Sequence, residues 1–416
     1  MMDKLRSDSE KIIQDALATA LPDNAVSAAL AERTPVKGKT YLVAFGKAAW
    51  QMAEAAEKQL GDSLDAGICI TKYQHVKGEI PHVQCYEAAH PVPDENGVKA
   101  AEKAIELVSS LTSEDEVIVL ISGGGSALFE SPLVPLNELQ DITQQLLACG
   151  ADITEINTIR KRLSKVKGGR FAELCAPAHV FAIILSDIIG DPLDMIASGP
   201  CTPDTSSCED AIGIIRKYRI HLSEHAHALL KQETPKHLDN VETHVTGSVR
   251  QLCSAAMKTA EKLGYEPVFL TASLCCEARA CGSFLSSIAR DHIHDGKNLA
   301  YICGGETVVH ITGKGLGGRN QEIALSAAEG ISGLKHCAVF SVGSDGTDGP
   351  TDAAGGYADD ATCEKLAALD IHIPAVLSDN DSYHALKKTG GLIITGPTGT
   401  NVNDLTVLLI AGKEAA

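Results

Sequence analysis

A short apolar run that ends in three consecutive glycines is the feature that most constrains this chain. Residues 117–121 are continuously apolar, which is typical of a strand buried on both faces of a parallel sheet. The next five residues are Ser122, Gly123, Gly124, Gly125 and Ser126. The glycines permit positive φ and leave backbone N–H groups uncovered, so this loop predicts a site for phosphate or carboxylate. A purely structural turn is the alternative.

The length of the chain predicts more than one hydrophobic core. At 416 residues, two domains are the default expectation, because single cores stop growing at roughly 250–300 residues. Strands alternate with helices throughout, which predicts an α/β fold. We place the boundary after a polar helical stretch, giving predicted domains 1–240 and 241–416, with a site expected in the cleft between them.

Composition excludes several classes of function. Lys plus Arg total 36 against 54 Asp plus Glu, a net charge of −18, and no segment carries a large basic patch, so nucleic acid and anionic membranes are not expected partners. The first thirty residues are too charged for a signal peptide, and no apolar run reaches membrane-spanning length. The thirteen cysteines contain no C-x-x-C pair, which indicates reduced thiols. A cytoplasmic enzyme fits these features.

Lys47 is a candidate because of where the strand before it ends. Residues 40–45 predict a strand, and Lys47 stands between that strand and a predicted helix, among small or apolar neighbours. Ligands bind at the carboxyl ends of strands in open α/β sheets. His90 precedes Pro91 and Pro93, which fix an extended loop, and a structural role is the favoured interpretation for a lone histidine.

The densest cluster of cations falls on the predicted helix 154–167. Asn157, Arg160, Lys161 and Ser164 share one face at 100° per residue. That face predicts a phosphate or carboxylate site at Asn157 and Arg160, and a solvated helix face is the alternative.

Two aspartates that end apolar strands are candidate metal ligands. Asp187 closes the predicted strand 180–186, with Asp191 and Asp194 in the loop that follows. Asp345 ends a second strand, and Asp348 and Asp352 follow within seven residues. Mg²⁺ takes few protein ligands and prefers carboxylate oxygen. We therefore predict Asp187 and Asp345 as metal ligands, although caps and turns use aspartate as readily.

Two further loops are candidate phosphate sites. Gly313, Gly315 and Gly318 fit G-x-G-x-x-G between a predicted strand at 307–312 and a helix, the pattern of a dinucleotide site. The polar residues that open the helix argue against that interpretation. Thr398 and Asn401 lie in a hydroxyl- and amide-rich loop between two predicted strands, which suits either a phosphate cradle or a turn.

Several segments together resemble one family. They include FGKAAW, HPVPDENG, SGGGSALFESP, EINTIRKRLSKVKGGR, LSDIIGDPLDMIASGP, GGET, GKGLGGRNQE, GSDGTDGPTDAAG and TGPTGTNVNDL. Their order and spread closely resemble the class II glycerate 2-kinases with a MOFRL-type C-terminal domain, some of which carry a hydroxypyruvate reductase label. The segment around Cys275 and Cys276 departs from the family's Gly-Glu-Ala-Arg pattern.

The resemblance implies an activity and a set of roles. It implies ATP-dependent phosphorylation of glycerate to 2-phosphoglycerate with Mg²⁺, on a Rossmann-like N-terminal parallel sheet flanked by helices and a smaller C-terminal α/β domain. Lys47, Asp187 and Arg319 are the implied catalytic residues, and Glu306 is an implied substrate-binding residue. The rival hypotheses are an NAD(P)H-dependent hydroxypyruvate reductase and a non-enzymatic sensor of small anions. Whether the chain forms a homodimer is left open.

Overall fold

The protein forms two compact units. The structure, a computed structural model, describes residues 2–186 and 192–412. Residues 22–186 and 192–246 form what we call the first unit, and residues 2–21 and 247–412 form the second unit. The sequence-based ranges 1–240 and 241–416 stay a prediction. Within the second unit, the N-terminal helix is fixed by hydrogen bonds from Tyr265 Oη to Asp8 (2.8 Å) and from Thr259 Oγ1 to Asp15 (3.0 Å).

The first unit is built on a parallel sheet. Its described strands are β1 (Thr40–Phe45), β2 (Ala66–Lys72), β3 (Val83–Ala88), β4 (Glu116–Ile121), β5 (His179–Leu185) and β6 (Val241–Thr246). Their order is β3-β2-β1-β4-β5-β6, and neighbouring strands run parallel. The chain reverses its direction of winding between β1 and β4, and ligands of doubly wound sheets bind at such a switch point. Every residue of β4 is buried, as its continuous apolar run predicts.

Helices cover the first sheet and form a second core beside it. The described helices of the first unit are α2 (Pro22–Glu32), α3 (Ala49–Leu60), α4 (Glu95–Leu107), α5 (Gly125–Leu128), α6 (Leu136–Ala148), α7 (Ile153–Arg162), α8 (Arg170–Cys175), α9 (Cys208–Tyr218) and α10 (Glu224–Leu229), whereas α1 (Met2–Ala20) belongs to the second unit. Apolar side chains of α6, α7, α9 and α10 pack into one cluster. That packing fixes α7, whose N-terminus is closed by a capping box of Asp152 and Glu155.

The second unit contains a mixed sheet. Its described strands are β7 (Glu266–Leu274), β8 (Leu299–Gly305), β9 (Cys337–Gly343), β10 (Gly355–Asp359), β11 (Leu392–Ile393) and β12 (Asp404–Ile410). Their order is β11-β10-β9-β12-β8-β7. Only β7 and β8 pair in parallel, and the other pairs are antiparallel. The ends of β8 and β9 therefore lie at the same edge as the start of β12.

Helices pack against both faces of this second sheet. They are α11 (Val249–Lys262), α12 (Ala278–His292), α13 (Arg319–Ile331), α14 (Thr362–Ala367), α15 (Ile373–Ser378) and α16 (Ser382–Thr389). Residues of α12 and α13 pack with β8, β9 and β12 in one cluster, and residues of α13 to α16 form another. The predicted α/β class, with a parallel sheet flanked by helices, is confirmed.

Several local predictions need correction. The strand predicted at 307–312 does not form, and only Val308 makes a bridge, to Glu277. The helix predicted at 154–167 ends at Arg162. Asp94 caps α4, since its side chain accepts a hydrogen bond from Gly97 N (2.9 Å). Within residues 2–186 and 192–412, no helix combines the length and apolar character needed to cross a membrane.

Candidate active site

Lys47 and the glycine loop lie together at the switch point of the first sheet. β1 and β4 are neighbours, with Phe45 opposite Ile121, so the segments that follow them meet. Lys47 N donates to Gly123 O (2.9 Å), and Ala48 N donates to Ser122 Oγ (3.1 Å). These hydrogen bonds tie the two loops into one surface, which brings the predicted catalytic lysine to the predicted anion loop.

His90 completes this surface on the side of β3. Gly124 has φ of +84°, and a β-carbon there would lie 3.0 Å from His90 Cδ2 and 3.2 Å from Lys47 Cγ. Burial lowers the pKa of His90, and the nearby ammonium groups of Lys47 and Lys72 lower it further. His90 is therefore neutral at physiological pH. The sequence favoured a structural role for His90, and its place at the end of a strand was the signal for a position in this surface.

Lys47 and Lys72, the two lysines of this surface, form no ion pair with the described residues. Lys72 is the last residue of β2, and Lys47 follows β1. Among residues 2–186 and 192–412, neither Lys47 nor Lys72 forms an ion pair with a carboxylate, although many other lysines do. The switch point therefore has a local excess of positive charge in a chain of net charge −18, which suits a small anion. Lys72 was not singled out from the sequence.

Asn157 connects α7 to the glycine loop. Its Oδ1 accepts a hydrogen bond from Ser198 Oγ (2.8 Å), and Ser198 Oγ lies 3.0 Å from Ser126 Oγ. Ala197 and Ser198 both have positive φ, at 52° and 62°, a conformation that costs roughly 1–2 kcal/mol for a non-glycine residue. Strained backbone of this kind occurs at functional sites, and here it lies against the glycine loop.

Lys161 and Arg162, two further cations of α7, are buried. The sequence predicted either an anion site or a solvated helix face here, and neither prediction included burial against carboxylates. Lys161 Nζ lies 3.0 Å from Asp194 and 3.1 Å from Asp204, and Arg162 also pairs with Asp204 (3.3 Å). Lys161 and Arg162 are therefore part of an interior charge network, and the interpretation of this face as solvated is wrong. Asp194, predicted to support a metal site, is instead a partner of Lys161. Asp187 and Asp191 lie outside the described residues.

A second buried group of charges lies behind the glycine loop. Lys167 Nζ donates to Phe129 O (2.9 Å) and lies 3.5 Å from Glu130, whose carboxylate is fully buried. Burial lowers the pKa of Lys167 to about 8, against the effect of Glu130. Arg160 is 9% exposed, and no described residue bonds its Nε. Two cations thus surround one carboxylate here. A ligand role for Arg160 stays a prediction.

Arg319 forms ion pairs with two carboxylates at the edge of the second sheet where β8 and β9 end and β12 begins. Its Nε and Nη2 donate to Asp404 (2.5 and 3.1 Å), and its Nη1 lies 3.1 Å from Glu306. Burial alone would lower the pKa of Arg319, but Asp404 and Glu306 outweigh burial and raise it. The resemblance to the family implied a catalytic role for Arg319, whose guanidinium can bind an anion through two N–H groups. In the structure that fork holds Asp404, and Asp404 was not singled out from the sequence.

The three aspartates of the loop 345–352 do not converge. Asp348 is buried and accepts hydrogen bonds from Asn320 N (3.1 Å) and Gln321 N (2.9 Å) at the start of α13. Asp352 accepts one from Tyr383 Oη (2.8 Å). In the described part of the chain, no three or more His, Cys, Asp or Glu side chains group as metal ligands would.

Asp345 lies close to Asp404 at this edge of the second sheet. Its side chain is half-buried, and its Oδ1 lies 3.4 Å from the position that a β-carbon of Gly343 would occupy. Asp404 Oδ1 lies 3.4 Å from the same position. The two carboxylates lie near each other, but Arg319 holds both oxygens of Asp404 and Thr347 N donates to Asp345 Oδ1 (2.9 Å), so a metal-ligand role for Asp345 stays a prediction.

The two remaining candidate loops are held by contacts within the second unit. Gly313 and Gly315 allow close packing, because β-carbons there would lie 2.3 Å from Asp379 Cα and 2.5 Å from Asp381 Cβ. The strand that a dinucleotide fingerprint requires is absent at 307–312 in the described chain. Thr398 N donates to Asp345 O (3.2 Å), and Asn401 Oδ1 accepts from Asn403 N (3.4 Å). Phosphate binding by Thr398 and Asn401 stays a prediction.

Comparison with known proteins defines the class. The family described as "Domain of unknown function (DUF4147)" matches residues 8–231, and the MOFRL family matches residues 299–404. Together with the relatives below, these matches show that the chain belongs to the class II glycerate kinase family.

Individual relatives extend over nearly the whole chain. The chain is 49% identical to D-glycerate 2-kinase of Thermotoga maritima, over 98% of this chain and 99% of that protein. It is 41% identical to glycerate 2-kinase of Pyrococcus horikoshii, over 91% and 89%. The crystal structure of glycerate kinase from Thermotoga maritima matches with a TM-score of 0.94 and covers 98% of this chain and all of that one.

Proposed function

We propose that the protein transfers the terminal phosphoryl group of ATP to glycerate, giving 2-phosphoglycerate and ADP. The observation that supports this most directly is Lys47 beside the glycine loop, with Lys72 near His90, where neither lysine forms an ion pair with a described residue, in a family whose named members are glycerate kinases. Phosphoryl transfer is mainly positioning and charge stabilisation, so an uncompensated cation at an anion loop is the component that it requires.

The chemistry assigns a role to each group. An acceptor hydroxyl oxygen of glycerate forms a bond to the terminal phosphorus while the bond from that phosphorus to the ADP oxygen breaks. Lys47 stabilises negative charge on the transferring group or on the glycerate carboxylate, and the glycine loop supplies backbone donors to the second anion. Asp187 is our first candidate to take the hydroxyl proton. Glu306, which forms an ion pair with Arg319, is the second.

Arg319 acts differently from the sequence-based expectation. Its Nε and Nη2 are committed to Asp404, so only the Nη1 side, shared with Glu306, faces a ligand. Asp345 and Asp187 would hold Mg²⁺. When bound, the ion neutralises charge on the phosphate oxygens of the donor.

The test compares two reactions with the same purified protein. Incubation with glycerate, ATP and Mg²⁺ is expected to yield ADP, and NMR of the product is expected to show phosphate on the 2-hydroxyl. Incubation with hydroxypyruvate and NADH is expected to leave the absorbance of NADH unchanged. Loss of NADH without formation of ADP would replace the proposal with the reductase hypothesis. Nucleotide binding without either reaction would favour the anion sensor.

A further inference from the structure

Three thiols line one cavity of the second unit. Cys276, Cys281 and Cys303 share this cavity, whose volume is about 270 Å³. Most of the remaining wall is apolar, and two of its residues, Leu270 and Phe284, are 36% and 59% exposed, so the cavity opens to solvent. A water molecule takes about 30 Å³ of liquid volume. Small polar molecules can therefore reach the three sulfur atoms.

One of these thiols belongs to the segment in which the sequence departs from the family pattern. Cys275 and Cys276 stand directly before Glu-Ala-Arg, where the family shows glycine. Cys276 is half-buried and lines the cavity, whereas the exposed Cys275 is not among the lining residues. Neither thiol takes part in the proposed phosphoryl transfer. The chain thus carries a reactive group here that the reaction does not use.

Cys281 is the thiol of the three that ionises most readily. It lies in the first turn of α12, where Cys281 N donates to Glu277 O (3.0 Å). A helix N-terminus favours a thiolate, because the aligned peptide dipoles place partial positive charge there. Hydrogen bonds from the thiols of Cys303 and Cys276 lower the pKa of Cys281 against the effect of burial. Cys281 is therefore the nucleophile of the cluster.

The positions of the other two thiols decide which of them can form a bond with Cys281. Cys303 lies inside β8, which pairs with β7 on one side and with β12 on the other, so its backbone cannot move without breaking the sheet. Cys276 follows the end of β7 and accepts a hydrogen bond from Val308 N (3.0 Å) through its carbonyl oxygen. Cys276 is the partner that can approach Cys281.

We propose that Cys281 and Cys276 are a peroxide-reactive thiol pair that closes to a disulfide. The Cys281 thiolate attacks one oxygen of hydrogen peroxide, the O–O bond breaks, and the departing oxygen leaves as water, which gives a sulfenic acid. The Cys276 sulfur then attacks the sulfur of this acid, the S–O bond breaks, and a second water leaves. The two thiols lose two protons and two electrons, and the peroxide is reduced to water. The proposal does not depend on the proposed function.

The test is mass spectrometry of the full-length protein after treatment with hydrogen peroxide. We expect a peptide map that links Cys276 to Cys281, with a mass about 2 Da lower that dithiothreitol restores. Cys276→Ser should form no such link, and its Cys281 should instead be trapped as the sulfenic acid by dimedone. Cys281→Ser should lower the yield of disulfide at Cys276 roughly tenfold, because the nucleophile is lost.

Cys149→Ser is the matched control. Cys149 is exposed and lies outside the cavity, so its substitution should leave the yield of the link between Cys276 and Cys281 unchanged. Circular dichroism establishes that each variant is folded. If Cys281→Ser does not fold, Cys276→Ser decides alone, because Cys276 is half-buried and lies between β7 and α12.

Three results would overturn the proposal. The first is a link between Cys281 and Cys303, which would show that the strand yields instead of the loop. The second is disulfide formation confined to other cysteines, such as Cys69 and Cys85, which lie opposite each other on β2 and β3. The third is folded Cys276→Ser protein in which dimedone does not label Cys281.

Discussion

The edges of the two sheets hold their cations in opposite ways. In the first unit, Lys47 and Lys72 lie beside a glycine loop with no carboxylate partner in the described chain. In the second unit, Arg319 is bonded by Asp404 and Glu306 before any ligand arrives. A free ammonium attracts an anion directly, whereas a neutralised guanidinium positions a ligand without adding net charge. Cations at similar sheet positions can therefore stabilise charge in one unit and orient a ligand in the other.

The largest effect on activity is expected from substitution of Lys47. Lys47→Ala removes a preorganised charge from the reacting anions, which typically lowers the rate by about 10²- to 10³-fold. The kcat/KM for glycerate, measured with saturating ATP, checks this expectation. Lys99→Ala is the matched control, because Lys99 is an exposed lysine of α4. A folded Lys47→Ala protein with near wild-type kcat/KM would remove the contrast between the two edges.

Sequence reasoning succeeds where local pattern determines the structure. The strand 40–45 is found with its predicted ends, because an apolar run between turn residues has few alternatives. The placement of Lys47 beside the glycine loop followed from the rule that ligands bind at the carboxyl ends of parallel strands. These inferences needed no knowledge of distant contacts.

It fails where a distant partner decides the role of a residue. The apolar residues 307–312 form no strand, because Val308 and Ile311 face a cavity and have no neighbouring strand to pair with. Lys161 is buried since Asp194 and Asp204, more than thirty residues away, neutralise it. Asp404 could not be assigned to Arg319 because 85 residues separate them. Charge pairing of this kind is set by tertiary structure and leaves no local pattern.

The carboxylates of the second edge are expected to make stability depend on pH. Burial raises the pKa of Asp348 to about 6, against its hydrogen bonds with Gln321 and Asn320, and Asp404 adds to the increase. The folded protein therefore binds a proton more tightly than the unfolded chain, so the contribution of Asp348 to stability falls as pH rises from about 4 to 6. A shift of about two units corresponds to roughly 3 kcal/mol at most.

Asp348→Asn tests this dependence. We expect the variant to show a smaller loss of unfolding free energy between pH 4 and pH 7 than wild type, measured by urea denaturation at several pH values. Asp370→Asn is the control, because that carboxylate is fully exposed, and its pH profile should follow wild type. Parallel profiles for wild type and Asp348→Asn would show that burial of Asp348 has no electrostatic consequence.

Alanine substitutions at two glycines distinguish the effect of backbone strain on stability from the effect of altered side-chain positions at the first edge on activity. Gly124 and Gly150 have similar φ, +84° and +76°, but only Gly124 has close neighbours, His90 and Lys47. Alanine at either position is expected to destabilise the fold by roughly 1–2 kcal/mol. Gly124→Ala should in addition lower kcat/KM about tenfold by displacing Lys47. Equal activity of the two variants, at comparable melting temperatures, would mean that the glycine loop does not need this close packing.

The smallest effect is expected at Lys72, the second unpaired lysine. Its ammonium helps to lower the pKa of His90, so Lys72→Ala should raise the pKa of His90, which an NMR titration of the imidazole resonances measures directly. Because Lys72 is half-buried and salt partly screens its charge, we expect only about a threefold rise in KM for glycerate and little change in kcat. Lys103→Ala, at an exposed lysine paired with Glu106, should change neither quantity. If His90 titrates identically in wild type and in Lys72→Ala, the positive potential at the first edge comes from Lys47 alone. The contrast between the two edges would then be a contrast between Lys47 and Arg319.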